Sequence, residues 1–283
     1  MVQNRPFLTF LSHAILLLGL AIIVFPIWLA FVASTHDAAT VSAPPMPLLP
    51  GSHMWENYST VLFGGAGKGT LNVPLIQALL NSTISALGIA IGKIAISIIA
   101  AFAIVYFRFP FRMFFFWMIF ITLMLPVEVR ILPTYKVVAD LGMLDTYGGL
   151  TIPLIASATA TFLFRQFFMS VPDEMLEAAR IDGAGPYRFF KDILLPLSRN
   201  TIAALFVIQF IYGWNQFLWP LIITTKEEFY TMVMVVGRLT NSVEAAPIWH
   251  LVMATAMLAM IPPVIVVMVM QRQFVRGLVE VEK

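Results

Sequence analysis

Apolar residues fill this chain in six long blocks, about 11–34, 74–106, 113–133, 148–168, 201–224 and 250–271, with polar residues collected in the gaps. About twenty apolar residues in a helix cover the roughly 30 Å hydrocarbon core of a bilayer, so each block predicts a crossing. The first block ends in AFVAS, as a leader peptide might be cut, but its apolar run is about twice the 7–15 residues of a leader. It predicts a retained span. The second block exceeds what one span needs, which predicts tilt or an extension past the membrane.

The gaps differ in kind. Residues 35–72 carry APPMPLLPG at Ala43–Gly51, whose prolines forbid continuous helix. Residues 225–249 predict an outer loop with a short helix around Phe229–Leu239. With no internal repeat and no linker, the pattern predicts one all-α, polytopic membrane domain over residues 1–283.

Composition agrees: 60% of residues are hydrophobic and 11% charged, against about a quarter charged in a soluble domain. The absence of cysteine excludes disulfide scaffolds, thiolate metal sites and cysteine nucleophiles. A net charge of +2 gives no footing to a nucleic-acid partner. Orientation follows from lysine and arginine. With the amino terminus in the cytoplasm, Arg5, Arg108, Arg112, Arg165, Arg180, Arg188, Lys191, Arg199, Arg272, Arg276 and Lys283 fall inside. Lys68, Arg130, Lys136, Lys226 and Arg238 fall outside, eleven against five, so both termini are expected in the cytoplasm.

One gap is dense with charge. From Glu177 to Asn200 the chain reads EAARIDGAGPYRFFKDILLPLSRN, within a loop taken as 169–200. Pro172, Asp173 and Glu174 suit a helix start, and Gly183 lies where a left-handed cap would stop it. Gly185-Pro186 restarts a helix whose apolar stripe is expected at Tyr187, Phe190 and Leu194, and Pro196 ends or kinks it. Two short capped helices with a sharp bend form a docking element rather than a plain connection.

The triplet EAA at Glu177–Ala179, Gly183 four residues on, and ILLP at Ile193–Pro196 together resemble the EAA loop of binding-protein-dependent ABC importer permeases. The resemblance covers essentially the whole chain. FRQFFMSVPDEMLEAARIDGAGPYRFF, WNQFLWPL at Trp214–Leu221 and QRQFVRGL at Gln271–Leu278 are similar to the carbohydrate-uptake branch. FFFWMIFITLMLPVEVRILPTY at Phe114–Tyr135 is similar to permeases of sn-glycerol-3-phosphate importers. The resemblance implies six membrane helices, with a cytoplasmic coupling helix between the fourth and fifth that seats in a groove of an ATPase subunit. Glu177, Ala178, Ala179, Asp182, Gly183 and Pro196 would carry that coupling. It also implies a bacterial cytoplasmic membrane, a second permease subunit, two copies of a cytoplasmic ATPase and an extracytoplasmic substrate-binding protein. ATP and magnesium would sit on the partner subunits, with no cofactor on this chain.

The remaining constellations are weighed one by one. GGAGKGT at Gly64–Thr70 is not a phosphate loop: Leu62 stands where the loop needs glycine, and Gly69 where it needs a hydroxyl. His13, His36, His53 and His250 lack metal-ligand spacing, and no serine has the surroundings of a nucleophile elbow. Lys93, inside the second block, is either functional or a packing residue beside the small face of Gly88 and Gly92. Pro126 and Pro133 predict a broken helix, near which Glu128 and Arg130 stand. Arg130 suits phosphate, because a guanidinium fork matches its oxygens, or else pairs with Glu128. Tyr135 closes the same tract. Trp214, Asn215, Gln216 and Trp219 combine aromatic faces with amides, as a polyol site or a partner-permease interface would.

The function expected is therefore a permease subunit that imports sn-glycerol-3-phosphate or glycerophosphodiesters by alternating access. A neutral sugar or polyol is the alternative within that class. A secondary transporter would want acidic residues deep in the spans, and none lies centrally in the six blocks. A membrane enzyme lacks its constellation; a scaffold with a docking loop would look much the same.

Overall fold

The structure, a computed structural model, describes residues 6–64, 74–122, 125, 127–240 and 248–281. Arg5, Pro126, Lys283 and the glycine-rich run at 65–70 lie outside the described residues. Among the described residues every regular element is helical. The chain divides into two compact units, residues 1–76 with 235–260, and residues 77–234 with 261–283.

The first unit holds α1 (Pro6–Ser34), α2 (Ala38–Ser42), α3 (Met54–Gly64) and the start of α15 (Trp249–Val281). α1 is apolar on every face and little of it is covered by its own chain, as for a helix whose solvent is lipid or a partner. Its C-terminal end is fastened by polar bonds. Asn57 Nδ2 donates to the carbonyls of Ser34 and His36 at 2.9 and 2.8 Å, and the N–H of Gly51 donates to Thr35 Oγ1 at 2.8 Å. Gly51 admits no side chain there, because a Cβ would stand 2.7 Å from the Thr35 carbonyl oxygen.

The second unit is built on α4 (Leu75–Tyr106), followed by α5 (Arg112–Ile121), α6 (Val127–Asp140), α7 (Tyr147–Thr151) and α8 (Ala158–Met169). Then come α9 (Asp173–Ile181), α10 (Pro186–Arg188), a π turn at Phe189–Leu194, α11 (Leu195–Leu197), α12 (Arg199–Trp214), α13 (Leu218–Ile223) and the first residues of α14 (Met232–Thr240), which from Val235 on belongs to the first unit. Gly88 and Gly92 do form a small face: a Cβ on either would strike Thr151 or Ile155. Gly213 lets α12 approach α4 closely, since its Cβ would lie 2.9 Å from Ala86 Cα. Close backbone approach is how helices gain contact in lipid, where apolar burial drives nothing.

By length and composition, Phe7–Ser34, Leu75–Tyr106 and Trp249–Gln273 are uninterrupted crossings. Two bent pairs pass the same test together, each a broken span or a re-entrant loop: Tyr147–Leu154 with Ala158–Met169 at 49°, and Pro186–Leu197 with Arg199–Trp214 at 71°. The block expected at 113–133 is not one helix. α5 has ten residues and rises only about 15 Å, half a bilayer core, and α6 begins separately at Val127. The short helix expected around Phe229–Leu239 is present as α14.

Candidate coupling and substrate-path sites

α9 starts after Pro172 with Asp173 and Glu174 in its first turn and ends with Arg180, each charge complementing the helix dipole. It stops at Gly183, whose φ of +74° is the left-handed conformation that glycine adopts without strain. The Ala184 N–H donates to Ala179 O at 2.8 Å and the Gly183 N–H to Arg180 O at 3.0 Å, the paired bonds of a Schellman cap.

After Gly185 the chain restarts at Pro186, and the helix widens into a π turn at Phe189. Pro196 has no N–H for the carbonyl four residues back, and its ring would clash there. The wider turn accommodates this, with the Leu195 N–H reaching back five residues to Phe190 O. It also rephases the side chains. Phe189 and Leu194, five apart, face inward together, whereas Tyr187 is 73% exposed. Of the expected stripe of Tyr187, Phe190 and Leu194, Leu194 is in the cluster and Phe190 packs half-buried against it, whereas Tyr187 faces out and Phe189 takes the inward place.

The inward residues lock the segment to the spans. Ala179, only 4% exposed, joins Phe189 and Leu194 in one apolar cluster with Ile98 and Ala101 of α4, Phe164 and Phe168 of α8, and Leu205 of α12. Phe189 meets the Tyr106 ring edge-on at 5.2 Å, and Tyr106 Oη donates to Phe168 O at 3.2 Å. The outward face carries Glu177, Ala178, Asp182, Gly183 and Pro196, all exposed. It also carries Ile181, 86% exposed, which the sequence reading passed over. A large aliphatic at the tip of a charged helix was the missed signal.

The substrate-path candidates do not gather into one site. Arg130 lies exposed on α6 and makes no ion pair among the described residues. The Glu128 side chain lies outside the described residues. Tyr135 is half-buried against Ile131, Val138 and Trp219. Both indoles are buried, each about 3% exposed, instead of presenting open faces. Trp214 stacks on Phe210 at 5.9 Å, and Trp219 Nε1 donates to Gly149 O at 3.0 Å, a contact seventy residues back. Asn215, at the end of α12, remains exposed.

Two features were invisible in the sequence. The buried Lys93 ammonium sits 3.5 Å from the centre of the Tyr212 ring. Asp145, at φ +53°, accepts from the N–H and Oγ1 of Thr225, both at 2.6 Å, and from the Lys226 N–H at 3.0 Å. Asn81 fastens the same stretch by donating to Glu228 O at 2.7 Å and Tyr230 O at 3.0 Å.

Residues 93–280 match the family described as binding-protein-dependent transport system inner membrane component. Over all 283 residues, and the full length of each relative, the chain is 59% identical to proteins of Brucella melitensis and Agrobacterium fabrum. It is 58% identical, over the same extent, to one of Escherichia coli O157:H7. All three are named sn-glycerol-3-phosphate transport system permease protein UgpE. Among solved structures, a bacterial ABC transporter involved in importing the acidic polysaccharide alginate superposes with a TM-score of 0.82. That match covers 97% of this chain and 99% of that one at 21% identity, which speaks for the fold.

Proposed function

Because this chain belongs to the family of inner-membrane components of binding-protein-dependent transport systems, we propose that it is the permease subunit through which an ABC importer takes up sn-glycerol-3-phosphate. The observation that carries the substrate is the end-to-end identity of 58–59% with relatives named for that transport system.

In this reading the chain crosses the membrane six times, α5 contributing to the third crossing, with both termini in the cytoplasm. It pairs with a second permease subunit, and an extracytoplasmic binding protein delivers the substrate. Two ATPase copies hydrolyse ATP on their own chains, since this one lacks a phosphate loop. Glu177, Ala178, Ile181 and Tyr187 form the face that seats in the ATPase subunit. Ala179, Phe189 and Leu194 carry its movement into α4, α8 and α12, because all three elements share their cluster. Close packing transmits displacement where a floppy loop would absorb it. The spans then alternate between inward-open and outward-open, with Arg130 and Asn215 exposed to the passing substrate. A secondary transporter is disfavoured, because α1, α4, α8, α12 and Trp249–Gln273 contain no Asp or Glu.

The test is uptake by the complete complex with its binding protein, across sn-glycerol-3-phosphate, a glycerophosphodiester, glycerol and a neutral sugar. Saturable uptake of sn-glycerol-3-phosphate is expected; uptake of the neutral compounds alone would overturn the substrate. Glu177→Lys should abolish uptake with the chain retained in the membrane, and normal ATPase coupling in that variant would remove the coupling role. Arg130→Ala should raise the half-saturating concentration.

A further inference from the structure

Five polar side chains are buried along α4: Asn81, Ser82, Ser85, Lys93 and Ser97. Three of them have partners: Asn81 and Ser82 hold the 228–232 backbone, and Ser97 Oγ donates to Ser157 O at 3.2 Å. Ser85 Oγ has no hydrogen-bond partner among the described residues, but a neutral hydroxyl costs far less to bury than a charge.

Lys93 is different. It is 6% exposed, in the middle of a crossing, and its ammonium meets an aromatic ring and no carboxylate among the described residues. Arg130 of α6 is a second cation of the same unit, exposed and with no ion pair among the described residues. A cation–π contact recovers only a part of what desolvating an ammonium costs. Cations held this way inside a membrane face a bundle interior or a polar path. Two cations with no carboxylate paired to them among the described residues, one buried on α4 and one exposed on α6, fit a ligand that brings its own negative charge.

We propose that Lys93, together with Arg130, is the anion-recognition pair of the translocation path, its ammonium receiving the phosphoryl group of the passing substrate. Tyr212 holds the ammonium in place between substrates, and Asn215, three residues further along α12, stands one turn away for the hydroxyls. The inference rests on the substrate reading above and adds the residue that discriminates charge. A neutral polyol lacks the group that offsets the buried cation, so the pair rejects it.

The experiment uses the whole complex in nanodiscs, arrested with ATP and vanadate, and measures retention of radiolabelled sn-glycerol-3-phosphate. Lys93→Met keeps the stem and removes the charge; it should weaken retention by about tenfold or more, the scale of one charged hydrogen bond. Lys93→Arg should stay within about threefold of the parent, since it keeps charge and donors. Basal ATP hydrolysis and recovery of the partner permease should not change in either. Parental retention by Lys93→Met overturns the proposal. Loss of the partner permease from Lys93→Met also overturns it, because the ammonium would then answer a carboxylate of that subunit. A parent complex that takes up no sn-glycerol-3-phosphate refutes the substrate reading instead, before any variant is compared.

Discussion

At the scale of single residues, Asp145 shows how one side chain fixes a loop. Its carboxylate closes a ring of three donors around Thr225 and Lys226, and its own N–H reaches Ile223 O at 3.2 Å. Partial burial pushes the carboxyl up, but the Thr225 hydroxyl, the two backbone N–H groups and the Lys226 charge outweigh it and hold it below its ordinary value. The sign of the pH dependence follows. A depressed folded value contributes stability above about pH 3.8, and that stability is lost as pH falls through the lower folded value. Hydrogen exchange should therefore show the Thr225 and Lys226 amides protected at pH 6 and released in strong acid. Asp145→Asn should release them at pH 6 as well, costing roughly 1 kcal/mol locally after solvent screening. Unchanged protection in the variant would remove Asp145 from this role. Gly183→Val tests the neighbouring kind of constraint. Nothing crowds a Cβ at Gly183, so any loss of α9 would come from the left-handed backbone alone, at about 1–2 kcal/mol. Circular dichroism of the excised segment would be a poor readout; protease resistance at Asp182–Gly185 in the complex is the direct one.

At the scale of elements, the segment from α9 to α12 has its inner face fixed in one apolar cluster. Phe189 is its main anchor, buried among Tyr106, Phe168 and Leu194. Phe189→Ala should destabilise the anchor by about 3–5 kcal/mol, the usual cost of deleting a buried ring. Because Glu177, Ile181 and Tyr187 remain on the outer face, the ATPase should still bind while uptake falls. Loss of ATPase binding together with uptake would mean that Phe189 shapes the docking face itself. Gly213→Leu tests a second junction, since a side chain there must push α12 from α4 at Ala86. Reduced thermal stability of the complex is expected, and an unchanged melting temperature would show that the approach is not tight.

At the scale of the whole molecule, the chain's lack of cysteine makes topology directly measurable. A cysteine placed at Lys226 should react with a membrane-impermeant maleimide in cells whose outer membrane is opened. One placed at Ile181 should react only after the cytoplasmic membrane is also breached. The reverse pattern would invert the orientation and with it the coupling scheme.

Much of this molecule is written in local sequence. The three uninterrupted crossing helices follow from apolar length, and the end of α9 from one glycine with acidic residues before it, because caps and dipoles act within a few residues. The family likeness of the segment from Glu177 to Pro196 is local too. Tertiary structure alone decided which side chains meet. Trp219 reads as an open aromatic until α13 lays it on Gly149, and Tyr187 reads as core until the π turn brings in Phe189 instead. Lys93 acquires meaning only against Tyr212, more than a hundred residues away, where no carboxylate among the described residues answers it. Such contacts escape a linear reading because helix period fixes the face of a residue relative to its neighbours, whereas its partner is set by how separate helices pack.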